Sequence, residues 1–191
     1  MQNNIPLPIH KKISLIILDR DGVINHDTTD FIKSPDEFIF LPGSLEAIAT
    51  LTMAGYQIGI ATNQSGLGRG YFTEKTLAQI HHKMLHEIRN HHGAILDVVF
   101  CPHLPSDECD CRKPKPGLLL RLIQKANVSL SEVVFIGDRV SDLKAAENTG
   151  VRSVLIHSNA TEAETRTLYP DVPAFASLLE SVHYLLARSK I

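Results

Sequence analysis

Short apolar runs alternate with amphipathic stretches along most of the chain. Five runs rich in β-branched residues predict strands at 13–19, 56–62, 95–101, 132–138 and 152–157. Stretches with apolar residues at helical spacing follow or separate them, at 44–54, 73–93, 117–126, 141–148 and 174–188. Strands that are almost entirely apolar and alternate with helices indicate a parallel sheet covered on both faces. The pattern therefore predicts an α/β fold with a Rossmann-like parallel sheet.

Residues at the helix ends agree with this pattern. Thr73 is placed to accept a hydrogen bond as the N-cap of the second helix, and Gly55 and Gly150 are placed to end the first and the fourth.

Composition narrows the class of protein. A chain of 191 residues suits a single domain over 1–191, and a net charge of -2 gives no general attraction to nucleic acid or to anionic membranes. The N-terminus lacks the apolar core of a signal peptide, and no apolar run reaches membrane-spanning length. Three cysteines are an odd number for a disulfide framework. We expect a cytoplasmic monomer without a nucleic-acid or membrane partner.

Reactive side chains follow four of the predicted strands. Asp19 and Asp21 follow the first strand, Thr62 to Ser65 the second, a cysteine-rich loop the third, and Asp138 the fourth. Ligands of open α/β sheets bind beyond the carboxyl ends of the strands. We therefore expect these four groups to face one crevice.

The segment "LDRDGVIN" holds two carboxylates two residues apart. Side chains at this spacing leave a strand on the same side, and two close carboxylates repel each other unless a cation or a proton lies between them. Asp19 and Asp21 thus suit a nucleophile, a general acid–base and a divalent metal site, although a surface turn would use the same residues.

Asp138 is placed to complete an oxygen-ligand set for Mg²⁺. Asp142 either assists this set or lies in the first turn of the next helix, where the helix dipole favours an acid.

The stretch "ATNQSG" offers hydroxyl and amide donors at the end of the second strand. Thr62, Asn63, Gln64 and Ser65 suit a phosphoryl oxygen, although a turn or a helix cap would also explain them.

Taken in order, the motifs D-x-D-G-V, T-N-Q, a downstream lysine and G-D-x-x-x-D resemble the haloacid dehalogenase superfamily of phosphatases. The resemblance covers about residues 13–157 and implies that Asp19 forms a phospho-aspartate while Asp21 acts as general acid and then general base. It also implies that Thr62 and Lys113 neutralise phosphoryl charge, and that Asp19, the Asp21 backbone carbonyl and Asp138 hold Mg²⁺. The segments between the motifs are too short for a large cap domain.

All three cysteines lie in "CPHLPSDECDCRKPKPG". Cys101, His103, Cys109 and Cys111 offer three thiolates and an imidazole, which form a closed tetrahedral set typical of structural zinc. The alternative is a set of incidental buried thiols. We expect a Zn²⁺-binding loop at 101–111 that holds the next two cations, Arg112 and Lys113, against the phosphate crevice.

This loop, with "TNQSGLGRGYFTE" and "DFIKSPDEFIFLPGS", resembles the D-glycero-D-manno-heptose 1,7-bisphosphate 7-phosphatases. The resemblance implies a sugar-phosphate substrate and a place in nucleotide-activated heptose synthesis for the lipopolysaccharide core. Two features depart from that family: the loop between His103 and Cys109 is short, and Phe31 stands where tyrosine is expected. The implied substrate-binding residues are Asp27, Asp30, Asn63, Gln64, Ser65, Arg112 and Arg139.

Three alternatives stay open from the sequence. The short zinc loop equally resembles that of histidinol-phosphate phosphatases. A non-catalytic zinc-stapled binding module would need the same loop, although no catalytic residue is missing. A nucleic-acid 3′-phosphatase is disfavoured by the negative charge and the absence of tryptophan. The histidines within 81–92 are expected to form a solvated helix face.

Overall fold

Six parallel strands form one sheet in the computed structural model, which describes residues 12–157 and 162–188. They run in the order β3-β2-β1-β4-β5-β6. The central strand lies between β2 and β4, so that Leu18 pairs with Ile60 on one side and with Ile136 on the other. The strands are β1 (Leu15–Leu18), β2 (Gln57–Asn63), β3 (Asp97–Cys101), β4 (Val133–Gly137), β5 (Arg152–Ile156) and β6 (Ala174–Phe175).

Helices cover both faces of this sheet. Alternate residues of β1 point to opposite faces, so that Ile16 and Leu18 belong to one apolar core and Leu15 and Ile17 to another. The first core is closed by α1, α3 and α7, and the second by α4 and α5. The helices are α1 (Ser44–Met53), α2 (Ser65–Gly68), α3 (Glu74–Asn90), α4 (Gly117–Ala126), α5 (Val140–Thr149), α6 (Glu162–Leu168) and α7 (Leu178–Arg188), with short 3-10 helices at Pro105–Asp107 and Leu130–Glu132.

The predicted parallel sheet, its five strands and the helices between them are confirmed, with ends that differ by a few residues. The Thr73 side chain caps α3 by accepting a hydrogen bond from the backbone N–H of Thr76. α2 and α6 were not predicted. α2 is a single short turn, too brief to show a helical period, and part of the segment before α6 lies outside the described residues.

The prediction of a helix over 174–188 was wrong at its start. Ala174 and Phe175 instead pair with Leu155 and Ile156 as β6. The helix begins at Leu178 because the Ser177 hydroxyl accepts a hydrogen bond from the backbone N–H of Glu180, which is the arrangement of a helix N-cap.

Within the described residues, the segments that connect the elements are loops and short turns, and none forms a large cap over the sheet. No helix in this part of the chain is long and apolar enough to cross a membrane.

Candidate active site and metal-binding loop

The three central strands end side by side, and each brings a predicted functional residue to the same edge of the sheet. Asp19 directly follows β1, and its backbone N–H continues the pairing by donating to the carbonyl of Ile136 (2.9 Å). Thr62 lies at the end of β2, and Asp138 directly follows β4. All three side chains are buried.

Lys113 reaches this edge from the loop before α4. Its Nζ lies 2.8 Å from Asp19 Oδ1 and 2.7 Å from Asp142 Oδ1, and it donates to the carbonyl of Ala61 at 2.9 Å. Burial alone would lower the pKa of Lys113, but the two carboxylates outweigh burial and raise it. The ammonium group therefore stays charged inside the protein.

Carboxylate oxygens of Asp19, Asp138 and Asp142 lie within 4.8 Å of one another. Burial, reinforced by the negative charge of Asp142, raises the pKa of Asp19 to about 7. Burial and the charge of Asp19 raise that of Asp138 to about 8. One ammonium group cannot balance three carboxylates. This buried oxygen-donor cluster therefore fits a hard divalent cation.

Asp142 lies in the first turn of α5 and also beside the other two carboxylates. Its Oδ2 accepts hydrogen bonds from the backbone N–H groups of Arg139 (3.1 Å) and Asp138 (3.3 Å), so it caps the start of α5. Its other oxygen pairs with Lys113. The prediction that it lies in the first turn of a helix is confirmed, and it also belongs to the carboxylate cluster.

Gly22 allows the turn after β1 to pass directly against this cluster. Its φ is +84°, and a Cβ atom at this position would lie 2.2 Å from Asp138 Oδ2. Only glycine combines this backbone conformation with so close an approach.

Asp21 is held by four side-chain nitrogen atoms. Arg20 donates through Nε (3.0 Å) and Nη2 (2.9 Å) to Oδ1, and through Nη2 (2.9 Å) to Oδ2. Asn25 donates to Oδ1 at 2.9 Å and Gln64 to Oδ2 at 3.0 Å. Burial alone would raise the pKa of Asp21, but the Arg20 guanidinium and these hydrogen bonds lower it. Without substrate, Asp21 is therefore an ionised carboxylate, and it has to take up a proton before it can act as an acid.

Arg20 is buried, with 1% of its surface exposed, and it contacts α3 through His81. Arg20 Nη1 lies 3.3 Å from His81 Nε2. The prediction of a solvated histidine face was wrong for His81, which packs edge-on against Phe100. Burial and the charge of Arg20 lower its pKa to about 4, so the ring is neutral. His82, His86, His91 and His92 are exposed, as predicted.

The amide side chains of Asn63 and Gln64, at the end of β2, are hydrogen-bonded to protein groups. Asn63 donates to the Lys113 carbonyl and accepts from the Lys113 backbone N–H, both at 3.1 Å. Gln64 also donates to Thr62 Oγ1 at 2.8 Å. Ser65 is buried at the start of α2. Asn63 thus fixes the backbone of Lys113, while Gln64 links Thr62 to Asp21.

The cysteine-rich loop gathers the four predicted ligands. Cys101 Sγ lies 3.5 Å from His103 Nδ1 and 3.6 Å from Cys109 Sγ, and Cys111 Sγ lies 3.3 Å and 3.5 Å from the same two atoms. A tetrahedral zinc ion with bonds of about 2.0–2.3 Å needs ligand separations of about 3.3–3.8 Å. Burial raises the pKa of Cys101 to about 12. These separations fit a tetrahedral metal site.

Among the predicted substrate-binding residues outside the carboxylate cluster, two form an ion pair and a third bonds to the backbone. Arg139 Nη2 forms an ion pair with Asp27 Oδ2. Arg112 donates through Nη1 to the His103 carbonyl (3.2 Å) in the cysteine-rich loop. Asp30 is exposed and makes only a local contact with Thr28 among the described hydrogen bonds.

Arg20, Asn25 and His81 are site residues that the sequence analysis missed. An arginine and an asparagine after a strand look like ordinary turn residues. The only signal for Asn25 was its place in "LDRDGVIN". For His81 there was none, because its contact with Arg20 spans 61 positions of the chain.

The chain matches known phosphatases in sequence and in structure. Residues 110–183 match the HAD-hydrolase-like family model. D-glycero-beta-D-manno-heptose-1,7-bisphosphate 7-phosphatase from Neisseria meningitidis is 49% identical over 144 residues, which cover 75% of this chain and 77% of the relative. The enzyme of the same name from Pseudomonas aeruginosa is 45% identical over 160 residues, with 84% and 88% covered.

A solved structure extends this likeness to the fold. The crystal structure of D,D-heptose 1,7-bisphosphate phosphatase from B. bronchiseptica, complexed with magnesium and phosphate, has a TM-score of 0.87 and 41% sequence identity. The match covers 92% of this chain and 99% of that one.

Proposed function

The chain belongs to the D-glycero-beta-D-manno-heptose-1,7-bisphosphate 7-phosphatase family of HAD-like hydrolases, and on this premise we propose that it hydrolyses the 7-phosphate of that sugar bisphosphate. The observation that carries the proposal is the pairing of buried Lys113 with Asp19 beside the fully hydrogen-bonded Asp21. We further propose that the chain works as one catalytic domain.

Asp19 is the proposed nucleophile. The backbone N–H of Arg20 donates to its Oδ1 (2.7 Å), and Lys113 Nζ forms an ion pair with the same oxygen. We therefore assign Oδ2 as the attacking atom. Oδ2 forms a bond to phosphorus while the bond from phosphorus to the sugar oxygen breaks. Asp21, which takes up a proton from solvent when the substrate binds, gives that proton to the leaving oxygen. The product of this step is a phospho-aspartate and the sugar monophosphate.

Water then completes the cycle. Asp21, now ionised, takes a proton from the water as its oxygen attacks phosphorus. The bond between phosphorus and Asp19 Oδ2 breaks and inorganic phosphate leaves. Lys113 and the Thr62 hydroxyl neutralise the charge on the phosphoryl oxygens in both steps, because phosphoryl transfer depends mainly on positioning and on charge neutralisation.

Mg²⁺ is the proposed cofactor of this site. We propose that the carboxylates of Asp19 and Asp138 and the backbone carbonyl of Asp21 hold it, which matches the excess of buried carboxylates over cations. When bound, the ion neutralises phosphoryl charge and orients the phosphate for in-line attack.

The distal part of the substrate is proposed to meet a polar rim. Arg112 suits the second phosphate because its planar guanidinium grips a phosphate bidentately. The ion pair of Asp27 with Arg139, together with Asp30 and Ser65, suits sugar hydroxyl groups. Asn63 and Gln64 contribute by holding Lys113 and Asp21 in place.

Zn²⁺ is the proposed ion of the loop at 101–111. Thiolate-rich sites select zinc over the hard Mg²⁺, and a closed set of four protein ligands leaves no open position for chemistry. The ion therefore serves to hold the loop, and with it Arg112, in one shape.

A hydrolysis panel tests the proposal. Both anomers of heptose 1,7-bisphosphate, histidinol phosphate and fructose bisphosphate would be compared by phosphate release with Mg²⁺ present, and the heptose compound is expected to give the highest kcat/KM. Asp19→Asn is the matched inactive control, because an amide is a poor nucleophile. A preference for histidinol phosphate would replace the proposed substrate, and turnover by Asp19→Asn would remove Asp19 from its role.

A further inference from the structure

Arg20 is a fully buried cation that the proposed chemistry does not use. It provides three of the five hydrogen bonds that reach the Asp21 carboxylate. Its side chain cannot exchange these bonds for water, because only 1% of the residue is exposed. Burying a charged side chain costs free energy, so we look for a role that the geometry of Arg20 serves.

The arrangement fixes the direction of the carboxylate as well as its charge. A guanidinium donates through a rigid planar fork, and here Nε and Nη2 lie 2.9–3.0 Å from the two oxygens of Asp21. Asn25 and Gln64 approach the same oxygens from other segments of the chain. An ionised carboxylate has about four acceptor positions, so these donors leave it little rotational freedom.

The guanidinium is itself held from the neighbouring helix. Arginine has no acceptor, so the 3.3 Å contact between Arg20 Nη1 and His81 Nε2 requires the ring nitrogen to accept. His81 is thus the tautomer that carries its proton on Nδ1. The Phe38 ring lies 5.9 Å from the guanidinium carbon and closes another side. α3 is thereby connected to Asp21 through Arg20.

We propose that Arg20 is a positioning residue for Asp21 in the acid–base steps, and that His81 supports Arg20 from α3. This inference rests on the proposed role of Asp21 in the phosphatase reaction. Loss of the Arg20 guanidinium is therefore expected to harm the proton transfer to the leaving group more than it harms substrate binding or folding.

A series of leaving groups separates positioning from structure. For Arg20→Met, kcat/KM would be compared between phenyl phosphate, whose leaving oxygen needs a proton, and p-nitrophenyl phosphate, whose leaving oxygen needs it far less. Because a positioned acid contributes about 10²–10⁴-fold, we expect a loss of roughly 10- to 100-fold on phenyl phosphate and less than about 3-fold on p-nitrophenyl phosphate. Equal losses on both would overturn the proposal.

A double-mutant cycle gives a second readout. If Arg20 acts only through Asp21, then Arg20→Met added to Asp21→Asn should change the rate of phenyl phosphate hydrolysis by less than about twofold. Independent losses that multiply would contradict the proposal. If Asp21→Asn itself loses activity equally on both substrates, then Asp21 is not the general acid. That result would contradict the proposed mechanism, and not only the role of Arg20.

His81 keeps the proposal testable if Arg20→Met does not fold, as checked by circular dichroism. His81→Leu removes the acceptor and should give the same selective loss on phenyl phosphate, at roughly 2- to 10-fold. His81→Gln retains an acceptor oxygen and should keep most of the wild-type activity on phenyl phosphate. His82→Leu, on the exposed side of the same helix, is the matched control. Wild-type rates in His81→Leu would show that His81 does not support Arg20. Identical behaviour of His81→Leu, His81→Gln and His82→Leu would overturn the supporting role as well.

Discussion

At the scale of single residues, Lys113 shares its ammonium group between the carboxylates of Asp19 and Asp142. The amide of Asn63 holds the Lys113 backbone through two hydrogen bonds. A buried cation between two acids is stable only while all partners are present, because removing one leaves an uncompensated charge. The nucleophile, the cation that neutralises phosphate and the cap of α5 are therefore one interdependent unit.

Gly22→Ala should disable the site by steric contact alone. The new methyl group would lie 2.2 Å from Asp138 Oδ2, so the carboxylate must move, and we expect kcat/KM to fall by at least about tenfold. Gly55→Ala is the matched control, since its φ of +83° is nearly the same as the +84° of Gly22 but nothing lies within 4 Å. Phosphate release and thermal unfolding would be measured on both. Similar losses of activity in the two variants would mean that backbone strain, and not the clash, is responsible.

Arg112→Ala should weaken recognition of a bisphosphate. Loss of a charge-assisted contact to the second phosphate is expected to cost about 2–4 kcal/mol in kcat/KM for heptose 1,7-bisphosphate, and much less for p-nitrophenyl phosphate, which has no second phosphate. The measurement is the ratio of the two kcat/KM values.

Lys115→Ala is the control for this prediction. Lys115 donates to the Glu108 carbonyl at 2.6 Å, much as Arg112 donates to the His103 carbonyl, so both residues contact the backbone of the same loop. If Arg112 matters only through the loop, the two variants should lose activity alike on both substrates.

At the scale of elements, the loop at 101–111 gathers its three cysteines and His103 at one point. It is rich in polar residues and proline, and among its four ligands only Cys101 is buried. Such a segment cannot bury enough apolar surface to fix its own shape. We therefore propose that its order comes from a bound ion, whereas β3 before it and α4 after it are held by the core.

Removal of zinc should loosen this loop while the sheet persists. Purified protein should contain about one zinc ion per chain. A chelator should raise hydrogen exchange in residues 101–112 and lower activity without restoration by Mg²⁺. Cys109→Ala should reproduce both effects. Elemental analysis that finds no zinc in protein prepared without chelator would contradict this prediction, as would unchanged exchange in the loop.

Elements with their own period or caps could be predicted from the sequence, and those set by a distant partner could not. α4 was predicted at its observed bounds because its apolar face is regular. β6 was missed because two residues carry no period and acquire strand geometry only by pairing with β5. The same holds at the site: Asp19, Asp21 and Lys113 could be predicted from local motifs, but the contact of Arg20 with His81 spans 61 positions and forms only in the folded chain.

At the scale of the whole molecule, the carboxylate cluster links stability to pH and to Mg²⁺. Burial raises the pKa of Asp19 from 3.8 to about 7 and that of Asp138 from 3.8 to about 8. From pH 3.8 up to these raised values, the folded protein holds protons on Asp19 and Asp138 that the unfolded chain has already released. The contribution of these groups to stability therefore falls as pH rises from about 4 to about 8 in the metal-free protein.

Mg²⁺ should counter this loss, since it binds the ionised carboxylates. We expect the ion to raise the midpoint of thermal unfolding more at about pH 8 than at about pH 6, and to release protons on binding near pH 7. Calorimetry in buffers of different ionisation enthalpy measures that release. A shift of the midpoint that is equal at both pH values, or that persists in Asp138→Asn, would contradict the expectation.

The central position of β1 has a consequence for how the chain is made. β1 is synthesised first, but one of its two neighbours, β4, comes last among the central strands: Ser14 beside β1 bonds to Glu132 beside β4 across 118 positions. Until β4 emerges, the backbone N–H and C=O groups on one edge of β1 have no strand to pair with. Open edges of this kind are templates for association with other chains. A nascent or truncated chain that stops before residue 133 is thus expected to aggregate more readily than the full chain.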